Sequence, residues 1–216
     1  MAKVDIRKKV LSANDEIALK NREILNSKKV FTLNMLSSPG SGKTSVLEKT
    51  LEHFRGKKEI HVLVGDVQTD NDARRLQKYT SNAEQIITGG SCHLEAKAIN
   101  AYLEKESLDS ADILVIENVG NLVCPSSFDL GEHKRAVVLS VAEGDDKPKK
   151  YPAMFRNADV VILNKMDLLS MTNFKVEEAE KNIYDINPGL KIFRTSCTNG
   201  EGFAPWYDWL EASLMK

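Results

Sequence analysis

Ser37-Ser38-Pro39-Gly40-Ser41-Gly42-Lys43-Thr44 follows directly on a β-rich apolar run, Val30 to Leu36, and opens a helical stretch, Ser45 to Phe54. Strand, glycine-bearing loop, Lys-Thr and helix in that order make a phosphate-binding loop. The glycines let backbone N–H groups converge on β- and γ-phosphate oxygens, and the helix N-terminus adds its positive end. Lys43 is expected to neutralise the β/γ oxygens and the Thr44 hydroxyl to take a place on Mg²⁺. The expected nucleotide-contacting set is therefore Pro39, Gly40, Ser41, Gly42, Lys43, Thr44 and Ser45. One position departs from the pattern: Ser37 stands where glycine is usual, and serine is small enough to keep most of the geometry.

Outward from the loop, short β-rich runs alternate with helical stretches: Ile60 to Val64, Glu84 to Thr88, Ile113 to Ile116, Ala136 to Val141, Ala158 to Leu163 and Lys191 to Arg194. That alternation predicts an α/β fold, a mainly parallel β-sheet flanked by helices. Residues 29–216 read as one phosphate-binding domain and residues 1–28 as an amphipathic helix preceding it, with Ile6, Val10, Ala13, Ile17 and Ile24 as its apolar face. That helix is expected to pack on the domain's flank, with partner binding as the alternative. Glu143 to Pro152, rich in Gly, Pro, Asp and Lys, reads as a mobile loop.

Asn164-Lys165-Met166-Asp167 ends the apolar run Val160 to Leu163, at the strand edge where α/β sheets present ligand-binding groups. It is similar to the NKxD motif of GTPases. A carboxylate at Asp167 can accept from guanine N1–H and the exocyclic amine, and adenine offers no such donor pair, so discrimination is strong. Asn164 would brace the loop, the Lys165 stem would cover one face of the base, and Ser196-Cys197-Thr198 lies where this kind of fold supplies a backbone N–H to guanine O6.

Two carboxylates end other strands. Asp66 lies in Gly65-Asp66-Val67-Gln68-Thr69-Asp70-Asn71-Asp72 and Glu117 in Glu117-Asn118-Val119-Gly120-Asn121. Mg²⁺ takes one or two carboxylates plus phosphate oxygens, so Asp66 and Glu117 are assigned to it, with Thr44, and Asp72 as a third. Asp70 or Asp72 could instead cap the helix expected over Ala73 to Tyr79. Gly120 would let the backbone approach the γ-phosphate, which makes Glu117 to Cys124 a switch segment.

Cys92-His93, placed at the start of a helical run after Gly89-Gly90, and Cys124 are three soft or borderline ligands. A buried inert thiol is the bland alternative for each cysteine. Cys124 lies only seven residues after Glu117, so a metal held there could sense the nucleotide. Three protein ligands leave a tetrahedral site open for water, cargo or a second copy of the chain. The chain has 216 residues, 42% hydrophobic, with formal charge −1 and three cysteines. Near-neutral charge offers no field for nucleic acid or a membrane surface, and sparse cysteines suit a reducing compartment, so a cytoplasmic location is expected. No apolar run is long enough to span a bilayer.

In order, the phosphate loop, Gly65-Asp66-Val67-Gln68-Thr69, Cys92-His93-Leu94-Glu95-Ala96, Glu117 through Cys124-Pro125, Glu143-Gly144-Asp145-Asp146-Lys147 and NKxD closely resemble the hydrogenase maturation GTPases of the HypB family, over nearly the whole chain. The resemblance implies a GTP-hydrolysing metallochaperone of low intrinsic turnover, binding GTP/GDP and Mg²⁺, that assists nickel insertion into the large-subunit precursor of [NiFe]-hydrogenase. It also implies a GTP-dependent homodimer with Cys92, His93 and Cys124 binding nickel or zinc at its interface, and other maturation proteins as partners. The chain lacks the N-terminal cysteine motif and histidine-rich tract of some members: no cysteine precedes Cys92, and only His53 and His61 precede His93. Lys97 and Ala101 stand where some members carry further histidines, which argues against a second metal. The related urease-maturation GTPases carry Cys-Pro-His and Glu-Ser-Gly-Gly motifs that are absent here, and a small-molecule kinase is disfavoured by NKxD.

Overall fold

A computed structural model describes residues 2–66 and 71–214, with the backbone alone for residues 2–9. Val67, Gln68, Thr69 and Asp70, including the proposed Asp70 cap, lie outside the described residues, as does the side chain of Ile6. The strands are β1 (Phe31–Ser37), β2 (Ile60–Asp66), β3 (Ala83–Ile87), β4 (Ile113–Glu117), β5 (Lys134–Ser140), β6 (Val160–Asn164) and β7 (Lys191–Arg194). The helices are α1 (Ala2–Ser27), α2 (Lys43–Phe54), α3 (Asn71–Leu76), α4 (Ala96–Lys105), α5 (Lys147–Lys150), α6 (Pro152–Arg156), α7 (Val176–Ile186) and α8 (Phe203–Leu214). Short 3₁₀ turns cover Cys124–Ser127 and Met166–Met171.

The seven strands form one sheet in the order β3-β2-β4-β1-β5-β6-β7, all neighbours parallel. Inner strands buried on both faces need apolar residues at consecutive positions, which is why Ile113 to Ile116 and Val160 to Leu163 read as unbroken apolar runs. Alternate residues then sort to opposite faces: Leu33, Val62, Val64, Val115, Val138 and Ile162 pack with α2, α3 and α8. Leu63, Leu114 and Ile116 meet α1 and α4 on the other face, while Val137, Val161 and Leu163 meet α6 and α7 there. Several strands run past their apolar cores, β5 starting at Lys134 and β2 ending at Asp66, because backbone pairing rather than hydrophobicity sets the ladder's length.

Three expectations are corrected. The buried face of α1 is Asn14, Ala18, Asn21 and Leu25, a stripe rotated from the apolar one; Val10 is 47% exposed, Ala13 is exposed, and Ile17 and Ile24 are half-buried. Residues 143–152 are not a free loop: α5 and α6 form there, and Asp145 accepts from the Lys175 backbone N–H at 3.1 Å. The helix expected to begin at Cys92 starts at Ala96 instead, leaving the Cys-His pair on an irregular segment.

Candidate nucleotide and metal site

β1 is the central strand, so the loop leaving it emerges between the ends of β4 and β5. Glu117, the last residue of β4, is in register with Met35 of β1 and Val64 of β2. Its carboxylate reaches the phosphate loop: Thr44 Oγ1 donates to Glu117 Oε1 at 2.7 Å, and Lys43 Nζ lies 3.9 Å from the same oxygen. Glu117 is buried, its Oε2 has no partner, and burial pushes its carboxyl above the usual carboxylate range against the pull of Lys43 and Thr44. An unpartnered buried carboxylate oxygen beside a threonine hydroxyl is the donor set a hard cation such as Mg²⁺ takes.

Ser37 has a use that glycine would not provide: Lys43 Nζ donates to its hydroxyl at 3.0 Å. Ser41 Oγ closes the loop on Ser38 O at 2.8 Å, and Ser38 Oγ donates to the Glu143 carboxylate, whose other oxygen accepts from Ser140 N at 3.0 Å. Gly120 packs so closely on the loop that a Cβ there would lie 3.1 Å from both Pro39 Cα and Pro39 N.

The base segment is tied to the phosphate loop from below. Asn164 Nδ2 donates to Ser41 O at 3.0 Å, and its Oδ1 accepts from Thr195 Oγ1 at 3.2 Å and from Cys197 Sγ at 3.4 Å. Lys165 Nζ donates to Gly40 O at 2.7 Å, an anchor that holds this residue in the left-handed region at φ 63°. Ser196 Oγ donates to Asp167, and that bond first of all holds the Asp167 carboxyl below its usual range. The carboxylate is therefore ionised at neutral pH, with both oxygens able to accept N–H donors.

The remaining carboxylates lie on neighbouring elements. Asp66 ends β2 two residues beyond the register position of Glu117. Asp72 lies in the first turn of α3 and accepts from Arg75 at 3.3 Å. The same guanidinium donates to both Glu48 oxygens, at 3.1 and 2.8 Å, and to Ser45 Oγ at 3.2 Å, joining α3 to the start of α2. Nothing in the sequence marks Arg75 or Glu143 for these contacts, because their partners lie about thirty and a hundred residues away.

Cys92, His93 and Cys124 converge, their ligating atoms lying within 4.8 Å of one another. His93 Nε2 is buried without a hydrogen-bond partner, and the ring lies over Phe128 with centroids 3.9 Å apart. Burial lowers the His93 pKa, with Glu95 opposing it, so the imidazole is neutral and presents a lone pair at neutral pH. Contact with Cys124, then burial, pushes the Cys92 thiol up, so a metal binding here displaces thiol protons. Two sulfurs and one imidazole fit a borderline-soft divalent ion. A groove of ≈ 970 Å³ lies at the opposite end of the sheet, where β1, β5 and β7 begin, lined by Phe31, His133, Lys134 and Trp209, away from all these groups.

A family model described as CobW/HypB/UreG, nucleotide-binding domain, matches residues 31–194. The hydrogenase maturation factor HypB of Rhizobium leguminosarum bv. viciae is 46% identical over 213 residues, 99% of this chain and 71% of that protein. The crystal structure of HypB from Archaeoglobus fulgidus is similar with a TM-score of 0.89 and 40% identity, covering 94% of this chain and 100% of that one. HypB from Helicobacter pylori, solved in complex with nickel, gives 0.87 and 40% identity over 94% of this chain and 95% of that one.

Proposed function

Since the chain belongs to the CobW/HypB/UreG family of nucleotide-binding domains and, within it, to the hydrogenase maturation factors HypB, we propose that it hydrolyses GTP to GDP and phosphate and uses that reaction to control a nickel ion destined for a hydrogenase. The observation that carries this reading is the convergence of Cys92 and His93 on Cys124, which lies on the segment that begins at Glu117, the carboxylate bonded to Thr44.

Asp167, held ionised by Ser196, selects guanine, while Asn164 and Lys165 fix the base segment to Ser41 and Gly40. Lys43 leaves Ser37 for the β/γ-phosphate oxygens, a charge-assisted contact stronger than the one to a hydroxyl. Thr44 and Glu117, with Asp66, would hold Mg²⁺, which when bound neutralises charge developing on the phosphoryl oxygens. Positioning and electrostatics supply the acceleration, and with no general base assigned a slow intrinsic turnover follows. Gly120, against Pro39, is the point at which the switch segment reads the γ-phosphate.

Nickel is cargo, held by Cys92, His93 and Cys124, with zinc as a competing ion of the same ligand preference. Three ligands leave a tetrahedral position open, and Val123, 59% exposed beside Cys124, makes this surface suited to a second copy of the chain in a GTP-dependent homodimer. The hydrogenase large-subunit precursor and other maturation proteins would be the partners in delivery. Among the described residues no helix is long and apolar enough to cross a membrane, in keeping with action in the cytoplasm.

The test separates the two halves of the reading. The Cys92→Ala, Cys124→Ala double variant is expected to lose stoichiometric nickel binding while keeping guanine-nucleotide binding within a few-fold. Undiminished nickel binding would remove the metal assignment, and displacement of a bound GTP analogue by ATP as readily as by GTP would remove the guanine assignment.

A further inference from the structure

Leu94, the residue after His93, sits between the ends of two strands. Its side chain is buried against Gly65, so closely that a Cβ on that glycine would lie 2.7 Å from Leu94 Cγ and Cδ1; Asp66 is the next residue. Its backbone N–H donates at 3.1 Å to Asn118 Oδ1, and Glu117 is the residue before. The same Asn118 oxygen accepts from Val119 N at 2.9 Å, inside the switch segment. Asn118 is itself fixed, its N–H donating to Met35 O at 3.0 Å and its Nδ2 to Asn34 Oδ1 at 3.4 Å. A weaker second tie, Asn121 Nδ2 to Cys92 O at 3.4 Å, joins the same two segments nearer the surface.

One side-chain oxygen thus accepts from both the switch and the metal loop, in a site only 2% exposed where an unpaired amide is costly. Any rearrangement of Val119 and Gly120 that turns the Asn118 amide must also move or strand the Leu94 N–H. Because Leu94 is wedged against Gly65, that displacement has one easy outlet, the irregular 91–95 segment that carries Cys92 and His93. Nothing in the nucleotide or metal chemistry calls for an asparagine here, since Asn118 is neither a ligand nor a phosphate contact.

We propose that Asn118 is the positioning residue that makes nickel affinity depend on the bound nucleotide, by gripping Leu94 N–H with the same oxygen that holds the switch. The proposal rests on the GTPase and nickel-carrier reading above. It is tested by titrating nickel into the full chain loaded with GDP and with a non-hydrolysable GTP analogue. In the wild type the two affinities are expected to differ by about fivefold or more. In Asn118→Ala they should agree within about twofold while both nucleotides still bind, and Asn118→Asp, which keeps the accepting oxygen, should restore most of the difference. A role confined to stability would move melting temperature and both affinities together and leave their ratio alone.

Asn118→Ala retaining the wild-type ratio overturns the proposal. So does a wild type whose nickel affinity ignores the nucleotide, a result that leaves nickel and GTP binding themselves intact; a wild type that binds no nickel overturns the carrier reading as well. If the alanine variant does not fold, amide hydrogen exchange on the wild type decides. Leu94 should change protection by about tenfold or more between the two nucleotide forms, and an unchanged Leu94 amide beside a changed Gly120 amide overturns the assignment.

Discussion

Replacing Gly42 with alanine strikes the junction of the phosphate loop, the base segment and α2, and the structure gives the size of the effect. Gly42 has φ +95° and ψ 28° and precedes the first residue of α2. A non-glycine residue in the left-handed region costs about 1–2 kcal/mol. The new methyl would also lie 2.5 Å from Asn164 Nδ2, the atom that donates to Ser41 O at 3.0 Å. Asn164 cannot retreat easily, being 1% exposed and held through Oδ1 by Thr195 and Cys197. Its amide must give up the bond to Ser41, and leaving a buried polar group unpaired costs about 1–3 kcal/mol. The variant is therefore expected to lose roughly 2–5 kcal/mol in urea unfolding monitored by tryptophan fluorescence, with the m-value unchanged. Titration with a fluescent-labelled guanine nucleotide should show binding weakened by about a hundredfold or more, since Ser41 and the base segment no longer move as one body. A stability within about 0.5 kcal/mol of the wild type, the usual range for an innocuous surface change, would refute both the strain and the collision.

At Gly120 the obstruction is backbone, not a flexible side chain: a Cβ there would stand 3.1 Å from Pro39 Cα and Pro39 N. Gly120→Ala is expected to slow single-turnover GTP hydrolysis by about 10- to 100-fold with GDP affinity nearly unchanged, and equal loss of GDP and GTP binding would count against a switch role. Cys197 responds to pH in a different way. Burial pushes its thiol up to about 11, so the thiol stays protonated as the donor to Asn164 Oδ1 through neutral pH and loses that role only as pH rises toward 11. Iodoacetamide should alkylate it at pH 8 about two orders of magnitude more slowly than free cysteine, and rapid labelling located there by mass spectrometry would contradict the buried donor.

The parts of this molecule legible in the sequence are those whose signals are local. The phosphate loop is announced by strand, glycines, Lys-Thr and helix within about twenty-five residues, and the inner strands are visible because burial on two faces demands apolar runs, while the partly exposed edge strands β3 and β7 are marked by shorter β-rich stretches. Cys92, His93 and Cys124 are nameable as ligands, yet their convergence depends on β4 lying beside β2, which no local pattern states. The face of α1 is misread for a related reason. Apolar periodicity points to Val10, Ala13 and Ile17, while the helix docks by Asn14 and Asn21, whose partners are backbone groups 75 to 115 residues away. Glu143 looks like part of a solvated loop because its role, accepting from Ser38 and Ser140, is set by the closeness of β1 and β5 rather than by its neighbours.

Asparagines in such places reveal how the two sites share a scaffold. A polar side chain in the middle of a parallel sheet is costly unless its groups are bonded, and β1 carries Asn34 between Leu33 and Met35. Asn34 Nδ2 donates to Glu132 Oε1 at 3.1 Å while its Oδ1 accepts from Asn118. Glu132, 5% exposed, also accepts from Leu130 N at 2.7 Å and from the Arg135 guanidinium, so its charge is paired as well as buried. Leu130 O in turn accepts from Asn21 of α1 at 3.0 Å, and Asn21 donates to Ala96 O at 2.8 Å while Ala96 N donates to Asn14 at 2.9 Å. A continuous run of buried bonds therefore leaves the end of β4, crosses β1, passes through the loop before β5 and returns by α1 to the residues just after His93. Removing one member strands its neighbours, so substitutions along this run should be non-additive where substitutions in the apolar core add. The N-terminal helix is accordingly a structural part of the metal loop's support: shifting α1 pulls on Ala96 from one side as Asn118 holds Leu94 from the other.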